Sequence, residues 1–90
     1  MARYAVEFSS RASRQLRKME SAAGRRLARA IDSLAEDPRK AGVVALSDTD
    51  DLFRLRVGTY RIIFTIEDDR LVVLVVKIGH RRDIYREPYA

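Results

Sequence analysis

Ninety residues, 47% hydrophobic and 34% charged, describe one globular domain over residues 1–90 with a modest core, and exclude a disordered tail. A net charge of +5 predicts attraction to polyanions, nucleic acid first among them. The lack of cysteine rules out disulfides and thiolate metal sites, and a single histidine argues against a metal; no cofactor is expected.

No run approaches the roughly 20 apolar residues of a membrane span. Arg3, Glu7 and Arg11 interrupt the start of the chain, where a signal peptide would carry its apolar stretch. The expected location is the cytosol, with no membrane partner.

In chain order, residues 2–8 alternate loosely, with Tyr4, Val6 and Phe8 on one face of a short strand. Ser9 or Ser10 is a suitable N-cap for a helix in which Ala12, Leu16 and Met19 recur at helical spacing. Residues 21–24 read as a break. Leu27, Ala30, Ile31, Leu34 and Ala35 then form an amphipathic stripe that Pro38 ends. The cations Arg11, Arg14, Arg17, Lys18, Arg25, Arg26 and Arg29 read mainly as the wet side of this helical hairpin, with contact to RNA or an acidic partner as a second reading. Residues 39–51 read as a loop. Strands follow at about 52–57, 60–66 and 71–78, with Asp68-Asp69 turning the second hairpin. The fold class is therefore α+β, in the order β-α-α-β-β-β, with the two helices packed on one face of a small antiparallel sheet.

The segment 52–64 carries the chemistry. Period-two alternation puts Arg54, Arg56 and Arg61 on one face and Phe53, Leu55, Val57, Tyr60, Ile62 and Phe64 on the other. A two-residue turn at Gly58-Thr59 sets Val57 opposite Tyr60 and Arg56 opposite Arg61. Cations directly opposite on a sheet repel, so a fold that keeps them invites an anion. Arginine offers phosphate two parallel hydrogen bonds and stays charged at any working pH. Such a cluster can hold a nucleic-acid backbone or stabilise charge developing on a phosphoryl group. The competing reading pairs these arginines with Asp48, Asp50, Asp51 or Asp83 in solvated salt bridges. An even-length loop at Asp68-Asp69 would continue the Arg61 face through residues 76, 78 and 80. His80 would then reach the arginines as a proton acceptor, although a lone histidine is more often structural. Strict alternation turns Arg81 the other way, while Tyr85 offers a ring on which a base can stack.

Three blocks together resemble the RelE/ParE toxin superfamily, most closely its RelE-like branch. They are Tyr4-x-Val6-x-Phe8-Ser9, the run from Arg54 to Phe64, and Val75-x-x-Ile78-Gly79-His80-Arg81-x-Asp83-Ile84-Tyr85-Arg86. The resemblance implies the toxin of a type II toxin–antitoxin system: a ribosome-dependent endoribonuclease that cuts mRNA in the A site. In that reaction the 2′-hydroxyl attacks the adjacent phosphate, leaving a 2′,3′-cyclic phosphate and a 5′-hydroxyl. By the same resemblance Arg61 and Arg56 hold and neutralise the phosphate beside Arg54, Arg81 assists the leaving oxygen and Tyr85 orients a base. The implied partners are a RelB-like antitoxin, the ribosome and mRNA, with operator DNA reached only through the antitoxin complex. Some relatives carry lysines where this chain has Arg54 and Arg56, and arginine is a poor general base. Either His80 takes that role, or positioning and charge stabilisation supply most of the rate. The alternatives are a ParE-like DNA gyrase inhibitor and a non-catalytic basic module that only binds nucleic acid.

Overall fold

The computed structural model describes residues 3–46 and 51–80. The elements are β1 (Ala5–Phe8), α1 (Ser10–Arg17), α2 (Ser21–Glu36), β2 (Val43–Ala45), β3 (Phe53–Val57), β4 (Tyr60–Glu67) and β5 (Val72–His80). They build one five-stranded sheet in the order β1-β5-β4-β3-β2.

Helix α1 starts where Ser9, in extended conformation, accepts a hydrogen bond from the Ala12 amide through its hydroxyl. Helix α2 begins at Ser21 and runs through Gly24, so the expected break falls earlier, at residues 18–20. Nothing lies within 4 Å of where a Gly24 side chain would project, so this glycine serves no close approach and a longer helix absorbs its cost. Leu27, Ile31 and Leu34 are buried against the sheet, where they meet Leu55, Ile62, Phe64, Val73, Val75 and Ile78. Each such side chain contributes roughly 1.5–3 kcal/mol by leaving water.

The sheet is mixed, not purely antiparallel. Strands β2 to β5 are antiparallel neighbours, while β1 lies parallel to β5, with Ala5 opposite Val72 and Phe8 opposite Val75. The two helices between β1 and β2 provide the return path that a parallel pairing requires. A short strand, β2, also forms inside the stretch expected to be loop; three residues at an edge give little alternation to detect.

Strand β1 ends at Phe8, and α1 takes over along the same edge of β5. Ser9 donates its amide to Val75 O (2.9 Å) and its hydroxyl to Val76 O (2.6 Å), and Gln15 Oε1 accepts from the Ile78 amide (2.8 Å). Backbone groups that a longer β1 would have paired are thus satisfied by the helix. At the far end of the sheet, Asp68 in the β4–β5 turn joins Tyr4 and Arg39. The Tyr4 hydroxyl donates to Asp68 Oδ1 (2.6 Å), while Arg39 spans both carboxylate oxygens (3.0 and 2.9 Å) and lies over the Phe53 ring.

Candidate nucleic-acid interface

Strand β3 and strand β4 pair in the register that the alternation demands: Arg56 opposite Arg61, Arg54 opposite Ile63 and Val57 opposite Tyr60. Gly58 opens the turn with φ +61°, as a type II′ turn requires of its first central residue. Leu55, Ile62 and Phe64 enter the helix-side core, so Arg54, Arg56 and Arg61 stand together on the opposite face.

Their environments differ. Arg56 is exposed, Arg54 half-buried, and Arg61 only 9% exposed. Arg61 Nη1 donates to Tyr60 O at 3.2 Å. The Nε atoms of Arg54 and Arg61 are both buried and have no hydrogen-bond partner among the described residues. Two shielded cationic donors on one face, beside a third cation, form an electrostatic well for an anion with several acceptor oxygens. Among the described residues none of the three arginines is in a salt bridge, Asp51 included; carboxylates pair instead with Arg3, Arg39 and Arg70. Asp48, Asp50 and Asp83 lie outside the described residues.

His80 does not reach this cluster. The second hairpin begins as expected, with Glu67 opposite Val72 across an even loop of four residues, 68–71. Between Phe64–Val75 and Ile63–Lys77, however, β5 carries one extra residue, Val76. This bulge reverses the side-chain parity of everything after it. Ile78 therefore faces Ile62 in the helix-side core, and His80 faces Tyr60, their rings 6.0 Å apart in an edge-to-face arrangement. Lys77 and Gly79 take the places on the arginine face, opposite Ile63 and Arg61.

Lys77, 2% exposed, is thus a cation on the arginine face that alternation alone assigned elsewhere. Its charge at the end of an apolar run was the visible signal, but without the bulge its facing could not be read. Arg26 on α2 lies against the β3–β4 turn: its guanidinium atoms are 3.0–3.3 Å from where a Gly58 side chain would begin. Among the expected site residues, Arg54, Arg56 and Arg61 come together and His80 stands on the other side of the sheet. Arg81 and Tyr85 lie outside the described residues.

A small α+β domain whose sheet presents buried arginine donors without partners among the described residues, behind a two-helix cover, defines a class of basic proteins suited to polyanions. Residues 6–85 match the family of ParE toxins of type II toxin–antitoxin systems. The chain is 32% identical to the toxin RelG of Mycobacterium tuberculosis, over 92% of this chain and 97% of that protein. It is 28% identical to the mRNA interferase toxin RelE of Escherichia coli K12, over 93% and 92% respectively. It is also similar in structure to a chain of the RelBE2 toxin–antitoxin complex of M. tuberculosis, with TM-score 0.80, 27% identity, and coverage of 92% and 97%. The protein belongs to the RelE/ParE family of type II toxins, with RelE-like relatives, as the sequence blocks implied.

Proposed function

We propose that this protein is a cytosolic endoribonuclease that cleaves mRNA and is held inactive by a cognate antitoxin. The observation that carries the reading is the pair of buried Nε donors of Arg54 and Arg61, without partners among the described residues, beside the exposed Arg56. In the proposed reaction the scissile phosphate sits on these three side chains. The 2′-hydroxyl gives up its proton to solvent as its oxygen attacks phosphorus, the bond to the 5′-oxygen breaks, and the departing oxygen takes up a proton. Negative charge grows on the non-bridging oxygens as the transition state forms, and fixed guanidinium groups stabilise it without reorganising. Arg81 as partner of the leaving oxygen and Tyr85 as base platform complete the assignment by family likeness.

His80 is a poor candidate for the general base, because it stands across the sheet from the arginines. Positioning and charge stabilisation then carry most of the rate, which favours cleavage on the ribosome, where the message is already ordered. Antitoxin binding is supported by a structural relative solved as a toxin–antitoxin complex. A segment that folds over the basic face would cover the arginines, and operator DNA would be contacted by the antitoxin part of the complex.

Primer extension on translating ribosomes tests the proposal. Discrete cuts within A-site codons that vanish in Arg61→Ala are expected. His80→Ala should cut within about tenfold of wild type, whereas a loss of about two orders of magnitude would restore the base role. Intact mRNA with inhibited gyrase supercoiling would replace this reading with a ParE-like one.

A further inference from the structure

We propose that Arg26 is a phosphate-binding residue that leads a single strand of RNA around the β3–β4 turn, from the arginine face to the helix side of the sheet. The inference rests on the arginine face binding RNA and extends that surface beyond it.

The β3–β4 turn is an edge of the sheet at which its two sides meet. Arg56 is exposed on one side of it and Arg26 on the other, with only Gly58 and Thr59 between the strands. Glycine at position 58 lets the Arg26 guanidinium rest against the turn; a methyl group there would come within 3.0 Å of its Nη1. Cations therefore stand on both sides of this edge.

Arg26 is available for a ligand. It makes no hydrogen bond or ion pair among the described residues, and the turn carries no carboxylate. An arginine present only to fasten the turn would be expected to donate to its carbonyls. Charge along α2 is also uneven: Arg25, Arg26 and Arg29 are exposed along its middle, whereas Asp32 and Glu36, nearer its C-terminus, both bind Arg3. The positive charge without a carboxylate partner among the described residues is thus concentrated on the stretch of the helix from which Arg26 meets the turn. Tyr60 and His80, both half-buried, lie on this same side next to the turn with their rings edge to face.

Fluorescence anisotropy with two labelled single-stranded RNAs tests the inference. Both are 2′-O-methylated throughout, so that no nucleophile is present; one has about three nucleotides and the other about ten. Arg26→Ala should weaken the long RNA about three- to tenfold, the range of one exposed charge-assisted contact, and leave the short one unchanged. The slope of log affinity against log salt should fall by about 0.7, the value for one phosphate contact on a single strand. Arg26→Lys should restore most of both, since it keeps the charge. Equal binding of both RNAs by wild type and Arg26→Ala would overturn the proposal, as would equal loss for both lengths. Arg61→Ala separates the two readings. If it weakens both RNAs while Arg26→Ala weakens neither, only the path around the turn fails; if it weakens neither, the arginine-face reading fails as well.

Discussion

Replacing Arg61 by methionine should make the protein more stable and less active at once. Arg61 is 9% exposed, stands directly opposite Arg56, and keeps its Nε buried without a partner among the described residues. A buried donor left unsatisfied costs about 1–3 kcal/mol. Cross-strand repulsion adds about 0.2–1 kcal/mol, at the low end here because Arg56 is exposed to solvent. Against these gains stands the lost bond from Nη1 to Tyr60 O, worth about 1 kcal/mol. Methionine retains an unbranched stem of similar length, so the packing of the aliphatic part survives. The balance favours the variant by about 1 kcal/mol, or a rise of about 4–8 °C in Tm for a domain of this size. The assay is thermal unfolding followed by circular dichroism in low-salt buffer without phosphate. Added phosphate should raise the wild-type Tm by occupying the site, and should raise that of Arg61→Met much less. Cleavage on ribosomes should fall by about two to three orders of magnitude, as when an electrostatic stabiliser of the transition state is removed. A lower Tm in the variant would refute the argument that this arginine is held at a cost, and near-normal cleavage would refute its role at phosphate.

Three other outcomes follow from the geometry. Gly58→Ala should lower stability by about 1–2 kcal/mol, because the left-handed φ of +61° is retained while the new methyl group crowds Arg26; chemical denaturation will show it. Gly24→Ala should raise stability by about 0.5–1 kcal/mol, since position 24 is helical and open; an unchanged or lower denaturation midpoint would contradict the assignment of α2 through this residue. Asp68 is held at about 2 by its bonds from Arg39 and Tyr4, below the ordinary 3.8. Its contribution is therefore complete above about pH 4 and is lost as pH falls towards 2. Asp68→Asn should melt earlier than wild type at neutral pH and show a flatter decline across that acid window, read from Tm against pH. Tyr4 acts at the opposite extreme: bonding to the same carboxylate raises it above 10, so its contribution is present below about pH 10 and lost at higher pH.

Local patterning carried far into this molecule. The helix stripe from Leu27 to Ala35, the β3–β4 hairpin with its glycine turn, and the joint facing of Arg54, Arg56 and Arg61 all depend on neighbours within one or two elements. Such features are legible because period and turn chemistry act over a few residues. Even the loop length of the second hairpin came out as even, with Glu67 opposite Val72.

What lay beyond the sequence depended on contacts between distant segments. The parallel pairing of β1 with β5 joins residues 67 positions apart, and no local signal distinguishes it from an antiparallel edge. The bulge at Val76 is accompanied by a bond from Ser9, the N-cap of α1, to Val76 O and one from the Ile78 amide to Gln15 on α1, which satisfy β5 backbone groups that a strand neighbour would otherwise have paired. One extra residue there exchanged the faces of Lys77 and Ile78 and moved His80 away from the arginines. The sequence by itself determined which residues form the cationic hairpin, because alternation is a property of the strand. Only the tertiary structure decided which residues of β5 share that face, because strand register beyond a bulge is settled by the helix packed along its edge.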